Sequence, residues 1–427
     1  MSFVYIMPFI ILAVCFLLNA PVGLSMIAAC VTFFVTSGQD VSLVSDIIMN
    51  SLYTNTVMIA IPLFIFTANI MNSGKVTEYM FTFAKGCVGK KRGAMAYVNV
   101  LVSLIFSGMT GSALADASGI GLMEINEMQR DGYDTPFSCA ITAATATIGP
   151  IFPPSIPMVV YAMLSGTSVG SLFMGGVVPA LMITVALCLY VGYISKKRDY
   201  PRGHQFTLRE FLSYTLRALP ALFTPVILIG GIYTGIVTST EAGALAAVYT
   251  LLIALLAYRV LGWKNIFLAV KETVIQTAVV MSMATASMVL SYIVTSSGMS
   301  NAIATWVLSI THNKYVFLSV ITVVFLFLGM LLDTQTIQYV FVPMVLPIAR
   351  ALGIDLVHFG VIIVLNMMIG LSSPPYGILC FVTSGLTKEP LQNIFREIWP
   401  MVVAMIAVLL LLTFIPELVL FLPKMMM

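Results

Sequence analysis

The sequence predicts an all-α polytopic membrane protein with two re-entrant helical hairpins and two broken transmembrane helices. Three observations lead to this prediction: an apolar composition, long stretches without charge, and two proline-rich interruptions. Of the 427 residues, 60% are hydrophobic and 9% are charged, whereas soluble domains carry about 25% charged residues. A water-soluble enzyme, a nucleic-acid-binding domain and a disordered chain are therefore excluded, because none of them tolerates so much apolar surface.

The positions of the basic residues predict which segments cross the membrane and which turn back. Lys90-Lys91-Arg92 and Lys196-Lys197-Arg198 form two basic clusters that should both lie in the cytoplasm. The charge-free run 135–195 is long enough for two crossings. The segment at about 93–130 is then expected to enter and return as a hairpin, because a single crossing would put the clusters on opposite sides. Its tip is expected at Ser107-Gly-Met-Thr-Gly-Ser112, whose Gly and Ser suit a chain reversal.

A second hairpin is predicted at about 315–349, where Asp333 is the only charge between Lys314 and Arg350. It should enter from the outer face, because residues 276–296 are predicted to cross outward from the cytoplasmic side. The complete layout has about ten crossings and two hairpins, and it places both termini outside the cell.

The two hairpins belong to an internal repeat. Gly108-Met109, Ile148-Gly149 and Pro153-Pro154 recur 221 residues further on, as Gly329-Met330, Ile369-Gly370 and Pro374-Pro375. Since the hairpins enter from opposite faces, the repeats are inverted. Inverted repeats with broken helices are typical of secondary transporters, whose binding sites lie at the breaks.

The expected organisation follows from these positions. The first repeat covers residues 1–194, with its hairpin at about 93–130 and its broken helix at about 137–165. A polar cytoplasmic linker follows at 195–219. The second repeat covers 220–427, with its hairpin at about 315–349 and its broken helix at about 357–386.

Proline interrupts one helix in each repeat. Residues 147–157 contain four prolines, and residues 369–377 contain Pro374-Pro375. Proline lacks a backbone donor and clashes with the preceding turn, so the helix must unwind there. Unpaired backbone groups cost on the order of several kcal/mol in lipid and persist only beside protein or a water-filled cavity. The breaks therefore predict binding sites, with a pair of purely structural kinks as the alternative.

The chemistry of the breaks favours a monovalent cation together with an anion. Freed carbonyl oxygens and the hydroxyls of Ser107, Thr110 and Ser373 form neutral oxygen cages, which suit Na⁺ better than a divalent ion. The half-helices that begin after Ser112, Pro154 and Pro375 should hold a carboxylate at their positive ends. Candidate substrate ligands there are Ser112, Ser155 and Thr336.

Asp116 and Asp333 are the only charges within residues 93–123 and 315–349. An acid at membrane depth is a candidate functional residue. Asp333 is expected either to complete a cation site, to carry a proton, or only to cap a helix. No GxxxxGK[ST] phosphate loop and no HExxH motif is present, so neither ATP hydrolysis nor another enzymatic activity is expected.

Four motifs together resemble the large membrane subunit of TRAP (tripartite ATP-independent periplasmic) transporters. They are the hairpin tip Ser107-Gly-Met-Thr-Gly-Ser-Ala113, the break Gly149-Pro-Ile-Phe-Pro-Pro-Ser155, the turn Gly235-Ile-Val-Thr-Ser-Thr-Glu-Ala242 and the break Ser372-Ser-Pro-Pro-Tyr-Gly377. The resemblance covers essentially the whole chain. It implies an inverted-repeat elevator-type transporter of the bacterial inner membrane, driven by a Na⁺ gradient. It also implies two partners, a small four-helix membrane subunit and a periplasmic substrate-binding protein.

The resemblance further implies two Na⁺ sites, in which several residues act through backbone carbonyls. One set is Ser107, Thr110, Gly149, Phe152 and Pro154; the other is Gly329, Gly370, Ser373 and Tyr376. Asp333 would belong to a third site. The two sets are unequal, because Leu328 and Leu331 stand where the first hairpin has Ser107 and Thr110.

The implied substrate is a small organic anion, either a sialic acid-like monocarboxylate or a C4-dicarboxylate. No Arg or Lys lies within either hairpin tip or break. One carboxylate is easier to hold with neutral donors than two, which favours the monocarboxylate. The alternatives are a stand-alone sodium–dicarboxylate or sodium–citrate symporter, and a membrane scaffold or channel subunit without coupled transport.

Overall fold

The computed structural model describes residues 3–426 except residues 19, 73, 260–261, 299–304, 306–308, 310 and 312. In these residues the regular structure is helical, apart from one isolated antiparallel bridge between Arg92 and Arg202.

The helices are named here in chain order. The first half contains α1 (Phe3–Leu17), α2 (Val22–Ser37), α3 (Ser42–Thr54), α4 (Ala60–Met71), α5 (Gly74–Val88), α6 (Ala94–Thr110), α7 (Ala113–Gly119), α8 (Gly121–Arg130), α9 (Thr135–Thr145), α10 (Ile156–Ser165) and α11 (Val169–Lys197). The second half contains α12 (Leu208–Tyr233), α13 (Ser239–Leu252), α14 (Trp263–Ser296), α15 (Lys314–Leu331), α16 (Thr334–Ala351), α17 (Leu356–Ser372), α18 (Ile378–Thr387), α19 (Leu391–Phe414) and α20 (Pro416–Met426).

Six helices in the described residues are long and apolar enough to cross a membrane: α11, α12, α13 with its extension to Ala257, α14, α15 and α19. The pair formed by α3 and α4, bent by 70°, makes a seventh candidate. The remaining crossings of the sequence prediction fall on α1, α2 and the two broken helices, which are shorter. The sequence predicts α15 as one arm of the second hairpin. Its 18 residues are nevertheless long and apolar enough to cross the membrane completely. The chain is a multi-pass membrane protein.

Most helix–helix contacts fall within two bundles, which also touch where α14 packs against α16 and α4 against α6. The small bundle contains α1–α4 and α12–α14, and the large bundle contains α6–α11 and α15–α20. α5 lies between them and packs against α12 on one side and α6 on the other. The predicted hairpins and both broken helices are therefore all in the large bundle.

Local capping explains where the interrupted helices restart. Ser112, Ser155 and Asp333 cap α7, α10 and α16, each by accepting a hydrogen bond from a backbone N–H in the first turn. Thr238 and Glu241 form a capping box at the start of α13. Three of the interruptions in the large bundle are thus followed by a capping side chain, whereas α18 starts after Gly377 without one.

The first hairpin packs beside the first broken helix. The Asn99 side-chain amide donates to the Thr142 hydroxyl (2.7 Å), and it also lies 3.8 Å from the sulfur of Met128 on the returning arm. Further along, a Cβ placed on Gly108 would lie 3.6 Å from Phe152. Both contacts advance in the same direction along the chain, so α6 and α9 run parallel and end together at the break.

The second half repeats this arrangement. Phe317 on α15 stacks on Phe359 of α17 with ring centroids 6.1 Å apart. Gly329, near the end of α15, approaches Gly370, near the end of α17. α15 and α17 are therefore also parallel and end at the second break.

The two basic clusters meet at one face, called here the basic face. The Gly93 N–H donates to the Pro201 carbonyl (2.9 Å), and the Gly203 N–H donates to the Lys91 carbonyl (3.1 Å). Arg92 forms a salt bridge with Asp199 (2.7 Å). The clusters lie on the same side of the protein, as the sequence predicts. Only residues 198–207 of the predicted linker at 195–219 lie between helices.

This pairing predicts a cross-link. Directly opposed residues of an antiparallel bridge have Cα atoms about 4.5–5.5 Å apart, within the range of a disulfide. Arg92→Cys combined with Arg202→Cys, in a background without the six native cysteines, should form an intramolecular disulfide on mild oxidation. Mass spectrometry of a digest would detect the linked peptides. The single variants are the controls, and labelling of the two cysteines from opposite sides of the membrane would contradict the fold.

Candidate functional site

Both proline-rich segments interrupt their helices as predicted. α9 ends at Thr145, a 3₁₀ turn follows at Ala146–Ile148, and α10 begins only at Ile156. In the second half, α17 ends at Ser372 and α18 begins at Ile378. Both Pro-Pro peptide bonds within these breaks are cis.

The tip of the first hairpin lies directly against the first break. Gly111 has φ +59°, and a Cβ placed there would lie 2.5 Å from the Pro154 carbonyl oxygen. A Cβ on Gly149 would lie 3.7 Å from the carbonyl group of Ser112. Glycine is required at position 111, because a side chain would be strained by the positive φ and would collide with backbone. Tip and break therefore approach backbone to backbone.

Two predicted cation ligands of the first set are at the end of α6. The Ser107 hydroxyl donates to the Leu104 carbonyl and the Thr110 hydroxyl to the Phe106 carbonyl (3.3 Å). Both side chains are buried. Donation uses only the hydroxyl proton, so both oxygens keep lone pairs for a cation.

The second hairpin contacts its break through two glycines. A Cβ on Gly370 would lie 2.6 Å from the Leu326 carbonyl oxygen and 2.7 Å from Gly329 Cα. A Cβ on Gly329 would lie 2.9 Å from the Met367 carbonyl oxygen. No side chain fits at either position without separating α15 from α17.

The other two residues of the second set lie just beyond this contact. Ser373 is buried, and its hydroxyl donates to the Ile369 carbonyl (2.6 Å). The Tyr376 side chain is 49% exposed and packs on Phe381 with ring centroids 4.8 Å apart. Any role of Tyr376 in a buried cage would therefore involve its backbone.

At each break, two parallel helices end side by side: α6 with α9, and α15 with α17. The last four carbonyl groups of a helix lack intrahelical partners, and a helix C-terminus carries about half a negative charge. Within the described residues, no group of three His, Cys, Asp or Glu is placed to hold a metal ion. A cation at these ends would be held by backbone carbonyls and hydroxyls.

A central cavity of about 70 Å³ lies between the two halves. Its lining comes from the first hairpin, the first break, the start of α16 and the end of α17. The lining residues are Gly111, Ser112, Ala113, Leu114, Pro150, Ile156, Pro157, Asp333, Thr334, Gln335, Met368 and Leu371. Helices α7, α10 and α16 begin at this cavity, so three positive helix ends point towards it.

Asp333 lines the central cavity with residues of the first half. Its carboxylate accepts from the Thr336 N–H (3.2 Å) and from the Thr336 hydroxyl (3.4 Å). Asp333 therefore caps α16, which is one of its three predicted roles. It also places a carboxylate on the cavity wall. The Thr336 hydroxyl proton is directed to Asp333 rather than into the cavity.

The two candidate substrate serines differ. Ser112 lines the cavity and accepts from the Ala115 N–H at 3.4 Å. Ser155 is fully buried; its hydroxyl donates to the Pro150 carbonyl and accepts from the Met158 N–H (3.2 Å). The Ser112 hydroxyl can thus contact a ligand in the cavity, whereas the Ser155 hydroxyl is used in hydrogen bonds within the break.

Three polar side chains that join the two halves were not predicted from the sequence. Gln338 on α16 donates to the Pro157 carbonyl (2.9 Å), which lines the cavity. Tyr161 donates to the Leu356 carbonyl (2.9 Å), and Arg350 donates to the Ser165 carbonyl (2.7 Å). Gln335 and Gln338 are two polar residues near the start of a mainly apolar helix, and this is the one local signal that could have identified Gln338.

Comparisons with known proteins agree on one family. The family profile described as "Tripartite ATP-independent periplasmic transporter, DctM component" matches residues 9–418. The sialic acid TRAP transporter large permease SiaM of Vibrio cholerae is 38% identical over 95% of this chain and 95% of its own. The C4-dicarboxylate TRAP transporter large permease DctM of Pseudomonas aeruginosa is 36% identical over 86% of each chain.

A solved structure has the same overall fold. The YdaH transporter of Alcanivorax borkumensis superposes with a TM-score of 0.64, covering 88% of this chain and 87% of its own. Its sequence is only 12% identical, so the similarity concerns the fold alone.

The glycine contact gives a testable prediction. Gly370→Ala should destabilise the purified protein by about 1–3 kcal/mol, because a methyl group has no space between α15 and α17. Thermal unfolding in detergent would measure the loss. Gly385→Ala is the matched control, since a Cβ on that glycine meets nothing within 4 Å. Equal stability of the two variants would contradict the contact.

Proposed function

The chain belongs to the DctM family, the large membrane component of tripartite ATP-independent periplasmic transporters, and we propose that it performs sodium-coupled uptake of a small organic anion. Its relatives are named permeases, so it is a transporter of the multi-pass membrane class and no enzyme. We further propose that it lies in the bacterial inner membrane with both termini in the periplasm.

The paired helix C-termini support the sodium sites. α6 and α9 bring two partial negative charges and unpaired carbonyls to the first break, and α15 and α17 do so at the second. Ser107 and Thr110 add hydroxyl oxygens at the first site, and Ser373 adds one at the second. This set of neutral oxygens fits a monovalent cation. Phe152, Pro154 and Tyr376 would contribute through their backbone.

The central cavity supports binding of an anion beside the cations. Three helix N-termini face it, and Ser112 offers a hydroxyl. Its present volume of about 70 Å³ is far below the roughly 300 Å³ of a small-molecule site. An organic acid would therefore enter only after the hairpins move apart.

The lining of the cavity bears on which anion is carried. The two relatives described above are named for sialic acid and for C4-dicarboxylates. The described lining contains the carboxylate of Asp333 and no Lys or Arg. A second carboxylate on the substrate would meet repulsion there, so we propose a sialic acid-like monocarboxylate ahead of a C4-dicarboxylate.

The division into two bundles supports an elevator mechanism. All proposed binding groups are in the large bundle, which would move against the small bundle. Part of the surface between them is apolar: an opening of about 550 Å³ is lined by Leu104, Ile105 and Phe152 of the large bundle and by Leu222, Pro225 and Tyr233 of α12. Apolar surfaces without fixed polar pairs oppose sliding only weakly.

We propose two obligatory partners, in keeping with a tripartite transporter: a small four-helix membrane subunit and a periplasmic substrate-binding protein. Reconstitution tests this proposal. Proteoliposomes containing both membrane subunits should take up the anion only with the binding protein outside and an inward Na⁺ gradient. Uptake by this polypeptide alone would favour the stand-alone symporter.

A variant pair tests the cation site itself. Ser373→Ala removes a buried hydroxyl at the second break, and we expect the Na⁺ concentration for half-maximal uptake to rise by about tenfold, the effect of losing about 1.4 kcal/mol of one ligand bond. Ser319→Ala removes an exposed hydroxyl of α15 that bonds only to Tyr315 and should leave uptake unchanged. An unaltered Na⁺ dependence in Ser373→Ala would exclude that hydroxyl as a ligand.

A further inference from the structure

Two buried carboxyl groups of the first hairpin take no part in the sites described above. Asp116 on α7 and Glu124 on α8 are 3% and 2% exposed. The Ile120 N–H donates to the Asp116 carbonyl (3.2 Å), and the Glu124 N–H donates to the Ile120 carbonyl (3.0 Å). The two helices thus continue through their junction, and the residues lie two turns apart, about 12 Å along the axis.

Neither carboxyl group is satisfied. Within the described part of the chain, both carboxylate oxygens of Asp116 and Oε1 of Glu124 are buried without a hydrogen-bond partner. Among the described residues, no salt bridge involves either carboxyl group. Lys85 and Arg130 are bound to Glu127 instead, at 2.7 and 2.8 Å.

Among the side chains that the structure describes, the surrounding elements offer no other neutralising group. α7 and α8 pack against α6, α9, α18 and the turn at 146–148, and Lys85 reaches them from α5. The titratable side chains on those packed elements are Tyr97, Cys139 and Cys380. Tyr97 lies beneath the Lys91 ammonium, Cys139 contacts the Thr387 hydroxyl (3.3 Å), and Cys380 donates to the Ser372 carbonyl (3.4 Å).

A buried carboxylate without donors is far more costly than the neutral acid, and two ionised groups would also repel each other. We propose that Asp116 and Glu124 form a proton-binding site that is loaded while the first hairpin is packed. Each group would release its proton to water, and become a carboxylate, when the hairpin opens.

Polar side chains continue along the chain from Glu124 towards the basic face. Glu127 follows Glu124 by about one helical turn, roughly 5 Å, and its side chain is 26% exposed. Asp131 comes next and lines a cavity of about 200 Å³ together with Lys85 and His204. Because the two basic clusters are expected in the cytoplasm, the protons would exchange with the cytoplasm.

The consequence is control by cytoplasmic pH. The hairpin must pack again before the empty carrier returns, and packing requires both carboxyls to be protonated. Stability of the packed hairpin is therefore full at low cytoplasmic pH and lost as the pH rises. An alkaline cytoplasm would slow the return step.

Infrared spectroscopy tests the site independently of transport. Purified protein at neutral pH should show C=O bands of protonated carboxylic acids that shift in deuterated water. Asp116→Asn and Glu124→Gln, which keep size and shape, should each remove part of this absorption. Glu389→Gln, a carboxylate bonded to the exposed Asn393, should remove none. Spectra of the first two variants identical to the wild type would overturn the proposal, whatever the transport assays give.

Transport in proteoliposomes tests the control by cytoplasmic pH, and this control rests on the proposed function. The binding protein outside selects transporters whose basic face is in the lumen. Raising lumen pH by about two units should slow multi-turnover uptake at least about tenfold in the wild type, because each proton taken up on packing changes the packing equilibrium by up to about tenfold per pH unit. The same change should slow uptake less than about twofold in the Asp116→Asn, Glu124→Gln double variant. Equal pH dependence in both, or none in the wild type, would overturn the control by pH. Absence of sodium-driven uptake in every protein would instead refute the proposed function and leave the infrared result standing.

Discussion

The arrangement of helix ends halfway along the large bundle is the constraint on which the rest of the site depends. Four helices end at the two breaks in parallel pairs, and three begin at the central cavity. Each end brings about half an elementary charge of fixed sign. Cations and a carboxylate can therefore be held side by side without a lysine or arginine. In an apolar bundle this is cheaper than burying charged side chains, because peptide dipoles are neutral overall.

Much of this arrangement is readable from the sequence, because proline and glycine act locally. The double prolines interrupt α9–α10 and α17–α18 wherever the rest of the chain lies, and Gly111 permits the tight tip. The preference of basic residues for the cytoplasmic side also predicts that the two basic clusters lie on one face. In the structure, Arg92 forms a salt bridge with Asp199 there. The family resemblance is confirmed by the profile over residues 9–418.

Other features depend on packing between distant segments, and no local pattern specifies which residues meet. Gln338 and the Pro157 carbonyl are 181 residues apart, and only the folded bundle brings them together. From the sequence alone, the Ser155 hydroxyl is a candidate substrate ligand. In the structure it donates a hydrogen bond to the Pro150 carbonyl instead. The repeat predicts equivalent glycines, yet Gly329 meets Gly370 while Gly108 faces Pro225 and Phe152. Both breaks therefore lie against a hairpin, but the residues in contact differ between them.

The paired connections at the basic face have a mechanical consequence. Residues 89–93 and 198–207 both lead from the large bundle towards its neighbours, and they are joined by two backbone hydrogen bonds and an ion pair. The large bundle is therefore attached to its neighbours at this face through two connections that cannot move independently of each other. Any displacement of that bundle relative to the small one has to be accommodated by the residues on either side of this joint.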